Sequence, residues 1–332
     1  MRKRFTTTVL ALTIAVAMCV QVSAAEITLK YAELNPDGHI LDNCADYFAE
    51  LVAEKSDGRI EIQVYPGSEL GDEISAYHSI MKGDGAIDIF RGNSITMADF
   101  GMEKSSLFGL PFIFEGRTHL WNVLDSHIGE EILKEPQDIK SGMVGLFYLD
   151  DGARNFFSVA DKPIETVEDF AGLKLRAPTI MMEETIAALG ARAMRFNFSE
   201  LNSAFWTGVV DGADQPYSGY LSNKFYEAAP NYTLTGHTYS PSIILMSERV
   251  WNSLSKDDQN ILMEAGKEVE AYNREHIEEE EAELLEEIKA AGVNVIEIED
   301  HTPFVEATEE VIAKYTNTPK LKELYDEIRD MK

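Results

Sequence analysis

The chain has 332 residues, with 29 Lys+Arg against 58 Asp+Glu and a formal charge of −29. Such a surface repels nucleic acid and anionic lipid, which excludes both as partners. Apolar residues make up 45% of the chain, which excludes disorder, and the length is ample for two hydrophobic cores.

Arg2, Lys3 and Arg4 precede a run of apolar and small residues from Thr6 to Val22. Val22-Ser23-Ala24-Ala25 then offers small residues for cleavage. This is the pattern of a secretory signal peptide, expected over residues 1–25. The apolar run is short for a spanning helix of about 20 residues, and no later segment approaches that length. Cys19 lies inside the signal behind Met18, which is too large for a lipoprotein site. Cleavage leaves Cys44 alone, so the exported chain has no intramolecular disulfide and is held by its core. It also leaves 26 basic against 58 acidic residues, a formal charge of −32. A surface this acidic repels anionic ligands at long range, so any acid-binding site must be locally basic.

Ile27 to Ala32 reads as the first strand, and Asn35-Pro36-Asp37-Gly38-His39 is loop chemistry. Leu41 to Lys55 has helical periodicity, with Leu41, Ala45, Phe48, Leu51 and Val52 on one face. Ile60 to Tyr65 alternates as a strand, Ile74 to Lys82 reads as a helix, and Ala86 to Phe90 as a buried strand. This alternation is α/β logic with a mostly parallel sheet. Ligands in such sheets sit beyond the carboxyl ends of strands, where the loops at Asn35 to His39 and Arg91 to Asn93 are expected.

A second unit begins near Asp151. Arg154 to Val159 and Leu173 to Arg176 read as strands, and Thr179 to Leu189 as a helix ended by Gly190. Ala193 to Phe196 is strand-like, and Ser199 can cap a helix running to about Gly208. Ala213 to Gln215, Tyr232 to His237 and Ile243 to Met246 add short strands, the last expected to return to the first lobe.

Ser255, with Asp257 and Asp258 in the first turn, starts a helix that can run to Ala291. Its beginning and end are amphipathic, but Asn273 to Glu283 is almost wholly polar. Such a middle either bridges solvent between domains or marks a break. One helix strapped across both lobes is expected, with Glu278 to Glu281 as a solvated face. Val293 to Ile298 and two short helices finish the chain. The expected division places residues 26–151 and about 241–275 in one lobe, and 152–240 and about 276–332 in the other.

Enzyme signatures are missing. There is no Gly-x-Ser-x-Gly elbow, Walker loop or dinucleotide glycine fingerprint, and the histidines make no metal motif. Neither a metal nor a cofactor is expected. The informative stretch is Gly172-Leu173-Lys174-Leu175-Arg176-Ala177-Pro178. An apolar strand delivers Arg176, and Pro178 stops it at a terminus where ligands bind. A guanidinium presents a planar fork of donors that fits a carboxylate bidentately. Arg154 stands in or beside another strand of the second lobe, and Gln215 before Pro216 offers amide groups. Phe198, Trp206 and Tyr217 supply aromatic surface for a pocket wall.

The Arg176 stretch, Phe198-Ser199-Glu200, and Thr207 to Pro216 together resemble the solute-binding proteins of TRAP (tripartite ATP-independent periplasmic) transporters. Tyr65 to Gly71 and Gly109-Leu110-Pro111-Phe112 extend the resemblance over essentially the whole exported chain. The resemblance implies a two-lobed α/β fold, a mixed sheet flanked by helices in each lobe, and a long helix spanning both. It implies that Arg176 makes a two-pronged contact with a ligand carboxylate, aided by Arg154. Gln215 stands where the family usually carries asparagine, Asn202 where tyrosine is usual, and Trp206 where glutamine is usual. Glu73, Arg91, Asn93 and His39 fall at first-lobe pocket positions.

Tyr220 to Ser222, Tyr226-Glu227 and Tyr232 to Thr238 are similar to the uronate-binding branch. The resemblance therefore implies a monomeric periplasmic subunit that captures a small organic acid, with a sugar acid first, and delivers it to membrane permease subunits. A dicarboxylate, a hydroxy or keto acid, or an aromatic acid would also satisfy the arginine. An extracytoplasmic sensor and a secreted enzyme are the competing classes.

Overall fold

Strands followed by helices in chain order give parallel neighbours, because each parallel return needs a crossover. The computed structural model describes residues 25–239 and 241–331, so the expected signal peptide, Ala25 apart, lies outside the described residues. The chain opens with β1 (Ile27–Ala32), α1 (Ile40–Lys55), β2 (Ile60–Tyr65), α2 (Glu73–Lys82) and β3 (Ile89–Asn93). Three helices follow, α3 (Ser94–Met97), α4 (Arg117–Leu124) and α5 (His127–Asp138), then β4 (Met143–Leu149). The second unit runs through β5 (Ala153–Ser158), β6 (Lys174–Ala177), α6 (Ile180–Ala188), β7 (Arg192–Arg195), α7 (Leu201–Trp206), β8 (Gly212–Gln215), α8 (Tyr217–Ser222) and β9 (Asn231–Tyr239). β10 (Ser242–Ser247), α9 (Glu248–Ser253), α10 (Lys256–Ala290), β11 (Asn294–Glu297), α11 (Thr302–Tyr315) and α12 (Pro319–Asp330) complete it.

Two mixed sheets result, in the orders β2-β1-β3-β10-β4 and β11-β9-β5-β8-β6-β7. β10 does return to the first sheet, where it runs antiparallel between β3 and β4. Its residues alternate between two cores, Ile243 and Leu245 on one face and Ile244 and Met246 on the other. The second sheet is likewise covered on both sides, with Phe157 and Tyr232 facing one cluster and Phe156 and Leu175 the other. Strands buried on both faces read as near-continuous apolar runs, as β4 (Met143–Leu149) and the Ile243 to Met246 part of β10 do.

Some local expectations shift. The strand expected at Ala86 to Phe90 starts only at Ile89 and takes in Arg91 and Asn93. Asp88 Oδ2 accepts the Lys30 backbone N–H at 2.9 Å, standing in for a ladder carbonyl, while β10 pairs Ile244 with Arg91 and Ser242 with Asn93. The helical turn expected to be capped by Ser199 is capped by Asn197, in a reciprocal capping box with Glu200. α12 buries Leu324 and Ile328 among Leu120, Ile128 and Ile132, and His119 Nε2 meets the Ile328 carbonyl at 2.6 Å. The C-terminal helix thus packs beside the first sheet, whereas 276–332 was expected in the second lobe. Its apolar stripe is complementary to α4 and α5, which periodicity had left unassigned.

α10 is one continuous helix capped by Ser255. Leu262, Ala265 and Val269 pack under the first sheet, and Ile288 enters the core of the second. Its polar middle lies against the crossing from β4 to β5. Asn273 is buried there; its Oδ1 accepts from the Asp150 N–H at 2.7 Å and its Nδ2 donates to the Asp150 carbonyl at 3.2 Å. Arg117 joins Asp150 Oδ2 at 2.6 Å and Glu281 Oε2 at 2.7 Å. Glu281 is therefore half-buried and paired, not part of a solvated acidic face. Cys44 is buried on α1, and burial pushes its thiol up to about 12.

Gly152 in the same crossing has φ +88°, and a Cβ there would lie 2.1 Å from Oε1 of Glu281, whose other carboxylate oxygen Arg117 pins. Gly172 has φ +84° with open space around it. Left-handed strain costs about 1–3 kcal/mol, and only Gly152 adds a clash. Thermal melts should show Gly152→Ala falling by several degrees more than Gly172→Ala; equal drops would mean the crossing tolerates the methyl group.

Candidate ligand-binding cleft

Strand ends from both sheets converge on one cleft. Asn35, Glu73, Arg91, Asn93 and Thr96 line it from the first unit. Arg154, Arg176, Pro178, Phe198 and Gln215 line it from the second, and Asp151 lies in the crossing. The walls touch at the cleft mouth, where Arg195 Nη2 meets Asp99 Oδ2 at 3.0 Å and Asn197 Nδ2 donates to Asp72 Oδ2 at 3.3 Å.

Three arginines are buried here, and their charges are balanced differently. Arg91 forks onto Glu33, Nε to Oε2 at 2.7 Å and Nη2 to Oε1 at 2.8 Å, and Nη1 donates to Ser242 Oγ at 3.2 Å. Burial alone would raise the Glu33 carboxyl, but Arg91 outweighs it and holds the group below its ordinary value. Arg154 donates through Nε to Asp214 Oδ2 at 2.5 Å and through Nη2 to the Asp214 carbonyl at 2.8 Å. His237 Nε2 lies 3.4 Å from the same carboxylate and stacks on Phe156. Burial again opposes ionisation, yet Arg154 and His237 keep Asp214 well below the usual carboxylate range.

Arg176 has no such partner. It is 4% exposed, and no described carboxylate lies within ion-pair distance. Its Nε and Nη2 donate only to the Phe196 carbonyl, at 3.4 and 3.3 Å, and its Cζ lies 5.9 Å from the Phe198 ring centre. Burial drives this guanidinium down to about 10; Arg154 adds to the push, and Asp214 and Glu73 oppose it. A buried cation left in this state is a ready acceptor site for an anion, because a carboxylate would supply both charge and hydrogen-bond acceptors.

Two acidic side chains face the cations. Burial raises Glu73, at the start of α2, and its Oε1 is buried without a hydrogen-bond partner. Burial also pushes Asp151 up to about 7, against Arg91 and Arg154, with Glu33 and Asp150 adding to the rise. Asn93 caps α3, its side chain accepting from the Ile95 N–H at 3.1 Å.

The cleft brings together Arg176, Arg154, Gln215, Phe198, Glu73, Asn93 and Arg91 from the expected set. Three expected residues fall elsewhere. His39 is the cap of α1, its Nδ1 accepting from the Leu41 N–H at 3.1 Å, and burial lowers it to about 4. Trp206 ends α7 and is 67% exposed, because that helix turns Leu201, Ala204 and Phe205 inward. Tyr217 packs on Tyr232, ring centres 5.6 Å apart, off the cleft wall. Sequence reasoning missed Asp151 and Thr96. The Asp150-Asp151-Gly152 cluster between two apolar runs was the available signal for Asp151. Among the described residues, no group of three His, Cys, Asp or Glu is placed to hold a metal ion.

Two lobes around a basic, carboxylate-matching cleft define an extracytoplasmic solute-binding protein. The family profile described as "Bacterial extracellular solute-binding protein, family 7" matches residues 31–318, and the chain belongs to that family. It is a TRAP-type solute-binding protein, as its relatives indicate. It is 30% identical over 298 residues to the sialic acid-binding periplasmic protein SiaP of Vibrio cholerae, covering 88% of this chain and 89% of that one. A TRAP periplasmic solute binding protein from Xanthobacter autotrophicus with bound β-D-galacturonate superposes with TM-score 0.86 at 31% identity, covering 91% of this chain and 99% of that one. One from Roseobacter denitrificans with bound β-D-glucuronate matches equally well, with TM-score 0.86, 31% identity and the same two coverages.

The Arg154–Asp214 pair gives a testable linkage. A depressed carboxyl contributes stability that is complete above its unfolded value near pH 4 and is lost as pH falls towards the folded value. Asp214→Asn leaves Arg154 uncompensated and should cost about 3–5 kcal/mol at neutral pH. Urea unfolding should show the gap to wild type closing as pH drops from about 5 to 2; a gap independent of pH would count against the pair.

Proposed function

We propose that this protein captures a uronate-type sugar acid in the interlobe cleft and delivers it, as a monomer, to the membrane permease subunits of a TRAP transporter. The observation that carries the reading is Arg176, buried in the cleft wall without a carboxylate of the protein's own. A ligand carboxylate gives its fork the bidentate partner it lacks. Arg154 stands on the same cleft, already paired with Asp214, and so does not compete for the same contact. Gln215 offers both a donor and an acceptor to ring hydroxyls, and Phe198 an apolar face to the sugar ring. Glu73 and Asp151 are acceptors suited to hydroxyl donors.

The reading is one of binding, not turnover. The acid joins groups from both lobes, so its capture favours the closed arrangement in proportion to contacts made only there. Lobe movement would centre on the Asp150 to Gly152 crossing, the β9–β10 connection and the polar middle of α10. In this scheme residues 26–151 with about 241–275 form one lobe, joined by α12, and 152–240 with about 276–318 form the other. The uronates bound by the Xanthobacter and Roseobacter proteins support the ligand class. A signal peptide at residues 1–25 would direct the chain to the periplasm.

A charge-assisted hydrogen bond contributes roughly 1.5–3 kcal/mol net. Calorimetric titration with D-galacturonate and D-glucuronate should therefore show Arg176→Ala binding at least about tenfold to a hundredfold more weakly than wild type. The ligand-free Arg176→Met protein should melt no lower than wild type, since it removes an unpaired buried charge. Wild-type-like affinity in either variant would refute the role given to Arg176.

A further inference from the structure

On the uronate reading, we infer that Asp151 is a specificity-determining residue, one that accepts hydrogen bonds from hydroxyls of a monocarboxylic ligand and excludes a second carboxylate. The inference starts from how charge is distributed around the cleft. Glu33 takes up the charge of Arg91 through a two-pronged ion pair, and Asp214 takes up that of Arg154. Arg176 remains as the cation without an acidic partner, and it faces a cleft that also holds Glu73 and Asp151. One ligand carboxylate has a place in that arrangement. A second one would find no further unpaired cation, only neutral donors such as Gln215 and Thr96, and would lie near Asp151 and Glu73.

Position makes Asp151 the sharper of the two acidic groups. Its neighbour Asp150 is fixed at the side chain by Arg117 and at both main-chain polar groups by Asn273. Gly152 donates its N–H to Asp150 Oδ1 at 2.8 Å, so the crossing is held on both sides of Asp151. The Asp151 carboxylate makes no hydrogen bond or ion pair among the described residues and lies on the cleft wall. An unused acceptor, set beside the cations by neighbours that are themselves pinned, recognises hydroxyl donors and penalises an anion. The charged groups around it are Arg91 from β3, Arg154 from β5, Glu33 from the loop after β1 and Asp150 beside it in the chain, with Glu73 from α2 and Arg176 from β6 on the same cleft. With a carboxyl value near 7, the penalty on a second carboxylate is strong at about pH 8 and weak at about pH 6.

The test compares D-galacturonate with galactarate, the dicarboxylate on the same carbon skeleton, by calorimetric titration of the full exported chain. Wild type is expected to prefer galacturonate at least tenfold at pH 8, with the ratio narrowing at pH 6. Asp151→Asn keeps the size and adds a donor; the ratio should fall at least tenfold at pH 8 and lose its pH dependence. Asp151→Ser serves if the asparagine variant melts early, and should relax the ratio in the same direction. Galacturonate binding with a ratio that neither variant moves overturns the role of Asp151 alone. Failure of wild type to bind either acid overturns the uronate reading, and this inference with it.

Discussion

A guanidinium removed from water needs a counter-charge, and this cleft encloses three guanidiniums while matching only two with carboxylates of its own. That shortfall organises the site. Arg91 and Arg154 are bound by Glu33 and Asp214, so they form fixed walls whose geometry does not depend on a ligand. Arg176 keeps its donors for one long-range carbonyl contact. The difference between a wall and a receptor lies in which arginine the chain has chosen to neutralise.

The acidic surface gives this arrangement its meaning. A chain this negative has no general attraction for anions, so recognition must be short-range and stereochemical. Burial supplies that condition, because charges interact more strongly where water is excluded. The same burial raises Glu73 and Asp151, so neither carboxyl is a ready counter-charge for the cations of the cleft. Cation and carboxyls can coexist in one cleft because the fold makes ionisation of the acids costly. The continuous α10 helix serves the same end from outside. Its polar middle, which makes little sense on a free amphipathic helix, matches the crossing that carries Asp150 to Gly152.

Local patterns revealed more of the scaffold than of the site. The α1 periodicity, the Ser255 cap and the apolar runs of β1, β2 and β10 are short-range signals, and the structure follows them. Arg176 was legible because Pro178 marks a strand end within two residues. The partners of Arg91 and Arg154 were not, since Glu33 and Asp214 lie far away in sequence and only the sheet orders bring them near. The same reason explains His39 and Trp206. Each looked like a pocket residue by its neighbourhood, but one satisfies the open end of a helix and the other sits on its solvent side. The place of α12 depends on complementarity with α4 and α5, which no single-segment pattern encodes. Asp151 escaped notice because an Asp-Asp-Gly turn is ordinary loop chemistry until the cleft around it is known.

Cys44 carries a practical consequence. Sealed beneath the first sheet, with its thiol held protonated far above ambient pH, it is inert towards alkylating reagents and oxidants alike. A chain lacking residues 1–25, and with them Cys19, is thus a natural blank for thiol-directed probes. A pair of cysteines introduced on opposite rims can carry spin labels or fluorophores with no background, and cleft width becomes a distance read in solution.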